Sequence, residues 1–310
     1  IDSLSPDRHV PIYVEKILGG QEQLPTDWGV DGTTGYEFMN QVSLLQHQPD
    51  GEQALALLWA AHSHRPADFK TEALLARKQT LNGALAGDFE RVALALQDVA
   101  RSDIMTRDLT LGAIRRALQA LVIHFPVYRT YITAAGRSEA DDAVFEQALA
   151  GARERLSEAD WPVLEHLHQW LGGAPWRSRP VGRSRTLLKQ ACVRFQQLTS
   201  PTAAKAVEDT AFYRYGRLLS RNDVGFNAEC FSAPIETFHH ACETRLASFP
   251  DNLLATATHD HKRGEDCRAR LAVLSERSDW YAQCVARWLP LARQLQVDPP
   301  DPNRVDELML

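Results

Sequence analysis

The sequence predicts an α/β protein, a partial (β/α)8 barrel carrying a large α-helical insertion. Two short runs of β-forming residues stand near the N-terminus, and a long middle stretch has helical periodicity. A third apolar run then passes directly into a dense polar block. Strand, polar loop, helix is the unit of a barrel or a doubly wound sheet. A whole barrel takes roughly 250 residues, and the residues left outside the helical stretch fall well short of that. The expectation is part of a barrel.

The first segment, residues 1–45, contains Pro11-Ile12-Tyr13-Val14-Glu15-Lys16-Ile17-Leu18, rich in β-formers and ended by Gly19-Gly20. Asp31-Gly32-Thr33-Thr34-Gly35-Tyr36 reads as a second short strand between tight turns. Residues 46–182 form the expected helical insertion. Leu55, Leu58 and Trp59 open one apolar face, Val92, Leu94, Leu96 and Val99 another, and Leu111, Ile114, Leu118, Leu121 and Val122 a third. Ser138 caps a helix with an acidic first turn. Ser157 opens another, carrying Leu164, Leu167 and Leu171 and closed by Gly172-Gly173. The second barrel segment, 183–297, starts with a helix over Thr186–Leu198 and a loop at Ser200-Pro201. Leu253–Thr258 reads as a buried strand ending at His259-Asp260, followed by a helix carrying Leu271, Leu274, Trp280, Cys284 and Trp288. The tail, 298–310, begins Asp298-Pro299-Pro300-Asp301-Pro302, which continues neither element.

Composition excludes some functions. A net charge of −6, with both signs interleaved, leaves no basic stripe for phosphate backbones, so no nucleic-acid partner is expected. The apolar run at 54–61 is too short to span a bilayer, and no membrane partner is expected. The five cysteines form no Cys-x-x-Cys pair, which suits reduced, mostly buried thiols in a cytoplasmic protein. A chain beginning at Ile1 suggests a piece of something longer.

Glycoside chemistry needs a carboxylic acid to protonate the leaving oxygen and a second carboxylate at the anomeric carbon. Glu15 and Asp260 both stand at predicted strand ends, where barrel enzymes carry their chemistry. A solvated strand end would carry Glu-Lys equally well. The block His259–Asp266 opens a site or simply the next helix, with Glu265 and Asp266 in its first turn. Lys205–Tyr215 mixes charge with rings that could stack on sugars, or Phe212 and Tyr215 could face inward from one helix. Three His-x-His pairs occur; at helical spacing His62/His64 and His166/His168 point apart, and His259/His261 has no partner motif, so no metal is expected. Phosphate-binding Gly loops and Gly-x-Ser-x-Gly are absent.

Three blocks in order carry a resemblance. Ile12–Leu18 with Leu24-Pro25-Thr26-Asp27-Trp28 and Gly32–Tyr36 resembles the fifth-strand region of maltooligosyltrehalose synthases, in the α-amylase superfamily. Lys205–Tyr215 is similar to that family's Lys–Glu-Asp-Thr–Phe-Tyr-Arg-Tyr block, and Ala257–Asp260 with Lys262–Asp266 to its seventh-strand motif. The resemblance implies a cofactor-free intramolecular transglycosylation. It turns the reducing-end α-1,4 linkage of a maltooligosaccharide into an α,α-1,1 linkage. It implies Glu15 as general acid/base and Asp260 as the carboxylate that fixes the distorted sugar. His259, Lys262, Arg263, Lys205, Glu208, Asp209 and Tyr213 are its implied substrate contacts. The sequence departs from the family in places. No nucleophilic aspartate stands at the family's spacing; Asp2 lies too near Glu15 for the intervening helix and is not assigned. His261 replaces an expected threonine and Ala206 an expected glycine, and the tail does not continue into an eighth strand. An incomplete, inactive fragment is therefore expected, its missing barrel segments supplied by the same polypeptide. The alternatives are an α-glucan hydrolase of the same superfamily and a non-catalytic helical binding module.

Overall fold

A computed structural model of the chain describes residues 9–20 and 22–295; Asp2 and the tail from Asp298 lie outside the described residues. The chain divides into two compact units, Ala73–Ala211 and the pair of segments Ile1–Glu72 and Phe212–Leu310.

The unit of residues 73–211 is helical. Its helices are the greater part of α3 (Phe69–Asn82), then α4 (Ala86–Arg101), α5 (Leu111–Ile123), α6 (Glu139–Arg155), α7 (Trp161–His168) and α8 (Arg183–Ala203). The third apolar face holds, with Ile114, Leu118, Leu121 and Val122 all buried. On α4, Val92, Leu96 and Val99 are buried but Leu94 turns to solvent, two residues from each neighbour and so on the far side of the turn. Phe125, Phe145 and Phe195 meet at centroid distances of 5.3–5.6 Å at the middle of this core. Ser138 accepts the Asp141 N–H at 3.1 Å and starts α6 as expected. Past α7, Gly172 takes φ +101°, and the fully buried Arg137 side chain ties down the turn by donating to the carbonyls of His168 and Leu171.

The loop expected at Ser200-Pro201 is instead helix. Pro201 has no N–H for the Gln197 carbonyl, yet α8 continues through it; Thr202 Oγ1 donates to the Leu198 carbonyl at 2.7 Å, and the coil then widens into a π turn over Ala204–Glu208.

The other unit holds two strands, β1 (Tyr13–Val14) and β2 (Gly32–Thr33), paired in parallel with Tyr13 opposite Gly32 and Val14 opposite Thr33. Around them are α1 (Tyr36–Leu45), α2 (Gly51–Ser63), α9 (Ile235–Ser248), α10 (Glu265–Ala272) and α11 (Ser278–Leu295). Its cores are small: Tyr36, Met39, Val224 and Phe226 in one, and Leu55, Leu218 and Phe231 in another.

Two expectations fail here. Residues 253–258 join no ladder and bend at Thr256, and Leu253 and Leu254 are exposed where a buried strand is expected. Among the described residues no strand flanks them to close a sheet face over their side chains. The single helix expected after Asp260 breaks into α10, a 3-10 turn at Val273–Ser275 and α11, leaving Trp280 and Trp288 exposed and Cys284 buried. All five cysteines are free thiols, but only Cys192 and Cys284 are buried.

Candidate active site

Glu15 leaves the C-terminal end of β1. The strand is fixed at its start by Asp31, whose carboxylate accepts the Ile12 N–H at 2.7 Å and contacts His9 Nε2 at 2.6 Å. Opposite, β2 runs into a tight turn at Gly35 (φ +89°). A Cβ there would lie 2.6 Å from the Ala255 nitrogen and 2.7 Å from the Leu253 carbonyl oxygen. Glycine is thus what allows residues 253–255 to run against the turn. Asn252 clamps the same approach: its Oδ1 accepts the Thr33 N–H at 2.5 Å, and its Nδ2 donates to Glu37 at 2.9 Å. These contacts carry the segment that ends in Asp260 alongside β1 and β2.

Tyr36, the first residue of α1, joins the two carboxylates. Its ring is buried, with Gly225 (φ +78°) leaving the space it fills. Its hydroxyl stands 2.8 Å from Asp260 Oδ1 and 3.4 Å from Glu15 Oε1. Thr258 Oγ1 donates to the same Asp260 oxygen at 2.7 Å, and His259 Nε2 lies 3.9 Å from Glu15 Oε1. Partial burial would raise the Asp260 pKa, but the hydrogen bonds from Thr258 and Tyr36 outweigh it and hold the carboxyl below its usual range. Burial, with Asp260 adding to it, pushes the Tyr36 phenol well up, so it keeps its proton at neutral pH. Glu15 and His259 remain open to solvent, their side chains 56% and 73% exposed.

Behind this group lies a stapled loop. The buried Asp223 carboxylate accepts the backbone N–H groups of Lys262 (3.0 Å), Arg263 (3.3 Å) and Val224 (3.1 Å). Buried Arg268 donates to the carbonyls of Arg263, at 2.6 Å, and Thr256, with its guanidinium 3.9 Å from Asp223. His261 accepts the Thr258 N–H at 3.0 Å, with its ring edge-on to Tyr36 and Phe226. Burial holds its pKa down; Asp223 opposes this and Arg268 reinforces it.

Of the residues singled out in the sequence, Glu15, His259 and Asp260 come together. Lys262 and Arg263 belong to the stapled loop through their backbones, the Lys262 side chain facing solvent. Lys205, Glu208 and Asp209 lie in the 73–211 unit. There Lys205 is exposed and paired with Asp209 at 2.6 Å, while Glu208 is buried and accepts the Tyr128 hydroxyl. Phe212 and Tyr215 do face inward, packing on Phe69, and Tyr213 projects beside them to solvent. Glu265 and Asp266 occupy the first turn of α10. Sequence reasoning missed Tyr36, Thr258, Asn252, Asp223 and Arg268. The glycine just before Tyr36 was the one local signal for any of them. Among the described residues no three His, Cys, Asp or Glu side chains are grouped to hold a metal ion, and no helix is long and apolar enough to cross a membrane.

No protein-family model matches the chain. Two curated Mycobacterium tuberculosis proteins bearing the name maltooligosyl trehalose synthase are each 33% identical over 272 residues, 86% of this chain and 31% of their own length. The structure of maltooligosyltrehalose synthase from Arthrobacter ramosus superimposes with a TM-score of 0.80 at 28% identity, covering 99% of this chain and 36% of that one. A hypothetical maltooligosyl trehalose synthase of Sulfolobus tokodaii gives 0.68 at 26%, covering 96% and 34%. The chain spans about a third of the length of the relatives it matches. The resemblance read from sequence motifs and the likeness in structure point to the same enzymes.

Proposed function

We infer that this chain is part of a maltooligosyltrehalose synthase, and that Glu15 and Asp260 are two of its catalytic carboxylates, set in a partial (β/α)8 barrel. The observation that carries the reading is the Tyr36 hydroxyl lying between them, 2.8 Å from Asp260 and 3.4 Å from Glu15, so that both carboxylates meet at one place. Support also comes from Glu15 standing at the C-terminal end of a parallel strand, where barrel enzymes carry their chemistry.

In this reading Glu15 protonates the α-1,4 oxygen of the reducing-end linkage, and an aspartate not assigned in this chain takes the anomeric carbon. Asp260, ionised, fixes hydroxyls of the distorted ring, and His259 hydrogen-bonds the same ring. The released glucose stays confined, turns, and attacks through its own anomeric hydroxyl while Glu15 takes the proton. Confinement decides transfer over hydrolysis. Tyr213, Lys262 and Arg263 are the proposed sugar contacts; for Lys205, Glu208 and Asp209, which lie in the 73–211 unit, that role rests on the motif resemblance alone.

The test is to express the full reading frame containing these residues and incubate it with maltopentaose. A non-reducing trehalosyl product is expected, lost by about 10²–10⁴-fold in Glu15→Gln, the range a general acid supplies. Residues 1–310 alone are expected to leave the substrate unchanged, because no nucleophile is assigned in them. Release of free glucose alone would replace this reading with an α-glucan hydrolase. Unchanged sugar, with Glu15→Gln indistinguishable from wild type in every property but charge, would favour a binding module.

A further inference from the structure

Asp260 sits in a four-residue turn that is closed twice over. The His261 N–H reaches back to the Thr258 carbonyl at 3.4 Å, and the Thr258 N–H donates forward to His261 Nδ1 at 3.0 Å. His259 and Asp260 are the two corner residues between them. Thr258 also donates through its Oγ1 to Asp260 Oδ1 at 2.7 Å, so whatever fixes Thr258 fixes the carboxylate. A backbone N–H can only donate, and an imidazole nitrogen accepts only while it carries no proton. Arg268 Nη1, 3.3 Å from the same Nδ1, is likewise a donor with no capacity to accept. The contact therefore exists for the neutral ring with its hydrogen on Nε2, and for no other form. The ring is held edge-on to Tyr36 and Phe226. His261 stands where the family resemblance expects threonine, a residue that does not titrate, so the device is this chain's own.

We propose that His261 is a positioning residue for Asp260: as a neutral imidazole it accepts the Thr258 N–H and holds the turn, and when the ring becomes an imidazolium it lets the turn go. This deepens the reading above, and rests on it only for the meaning of Asp260 as a catalytic carboxylate. A proton on Nδ1 would set an N–H against the Thr258 N–H and the Arg268 guanidinium, two repulsive contacts in place of one hydrogen bond. Burial, the largest influence, and Arg268 oppose that proton, while Asp223, Asp260 and the Val224 carbonyl favour it. Tyr36, edge-on to the ring, keeps its own proton and stays neutral. Lys262 and Arg263 are the next charged residues along the loop. The folded midpoint of His261 therefore lies below the ordinary histidine value of about 6.5. The hold is complete above that value and is lost as pH falls through the lowered midpoint.

The experiment is an NMR titration of the chain labelled with nitrogen-15 and, at the aspartate carboxyls, with carbon-13. Near neutral pH the His261 ring should show a hydrogen on Nε2 and a bare Nδ1. As pH falls through the His261 midpoint, the protection of the Thr258 amide against exchange should drop about tenfold, the factor a hydrogen bond's net worth corresponds to. His261→Asn places an amide oxygen where Nδ1 stood, an acceptor that does not titrate, so Thr258 should stay protected across the same range. His261→Ala should lack that protection at every pH. It should also raise the Asp260 midpoint by about one unit, as the Thr258 hydroxyl loosens from the carboxylate. A wild-type ring with its hydrogen on Nδ1 overturns the proposal, and so does Thr258 protection that ignores the His261 midpoint. A folded His261→Asn that loses protection at the wild-type midpoint overturns it as well. The wild-type arm decides the matter even if neither variant folds. In the full-length protein, the acid limb of kcat should follow His261 and move to lower pH in His261→Asn, with KM little changed. An acid limb that stays in place would refute the positioning role. Absence of any transglycosylation in the wild type would sink the functional reading and leave the titration result standing.

Discussion

Asp223 shows how much one buried side chain can hold. Its carboxylate takes three backbone N–H groups, two of them from the loop that follows Asp260. Asp223→Asn would keep one oxygen but turn an NH2 group toward N–H donors, leaving buried donors unmet at about 1–3 kcal/mol. A lowered urea midpoint is expected, together with faster amide exchange at Lys262 and Arg263. An unchanged exchange rate there would mean the loop is held by something else. His47 gives a second test. It is buried, its Nδ1 on the Ser43 carbonyl and its Nε2 on the Ser220 hydroxyl, both at 2.7 Å. Burial brings its pKa down to about 4, with Arg221 and Arg217 assisting and the Ser43 carbonyl opposing. The unfolded chain therefore binds the extra proton first. The stability contributed by neutral His47 is complete above about pH 6.5 and is lost as pH falls toward 4, roughly 3 kcal/mol in all. Urea midpoints measured from pH 7 to 4 should show this slope in the wild type, and a shallower one in His47→Gln.

At the scale of elements, what the sequence made legible is what neighbours in sequence decide. The stripe Ile114, Leu118, Leu121, Val122 and the Ser138 cap follow from spacing within one helix, and both are present. The strand expected over 253–258 does not form, because burial of a strand depends on partners far away in the chain, which its own apolar letters do not name. The site divides the same way. Glu15 and Asp260 stand out by their strand-end motifs. Tyr36, Asn252 and Thr33 reach Asp260 and its segment through contacts that join residues more than two hundred positions apart, and apart from the glycine before Tyr36 nothing local marks them. Gly35 links the two scales. Gly35→Ala would place a Cβ against the backbone of Leu253 and Ala255 and force a left-handed φ on an L-residue, which alone costs about 1–2 kcal/mol. The cheapest relief is for residues 253–255 to back away, taking Asp260 from the Tyr36 hydroxyl. The expected result is a modest loss of stability with a raised Asp260 midpoint. A loss of stability with Asp260 unmoved would show that the strain is absorbed elsewhere.

For the whole molecule, the two units differ in how they are held together. Residues 73–211 enclose a continuous core running from Leu81 to Leu198, with three phenylalanines at its centre. Among the described residues the other unit has small separate clusters, around Tyr36, around Leu55, and where Trp59, Phe69, Phe212 and Tyr215 meet, and it leaves apolar surface in water: α9 buries none of its residues, and Ile235, Leu246, Leu253 and Leu254 are all exposed. A contiguous core loses its contacts together when it opens, whereas small clusters under long loops open piecemeal. Residues 73–211, expressed alone, should therefore fold as a helical domain with one sigmoidal urea transition. Phe145→Ala should move its midpoint by about 3–5 kcal/mol equivalent, as truncation of a fully buried ring does. The whole chain should unfold in two steps seen differently by helical circular dichroism and by tryptophan fluorescence. It should also bind a hydrophobic dye before either step, and Leu246→Ser with Leu254→Ser should reduce that binding. The same dye should ignore 73–211. A single coincident transition for the whole chain, or a 73–211 fragment that binds dye and melts without cooperativity, would mean that the helical core depends on the rest of the chain for its order.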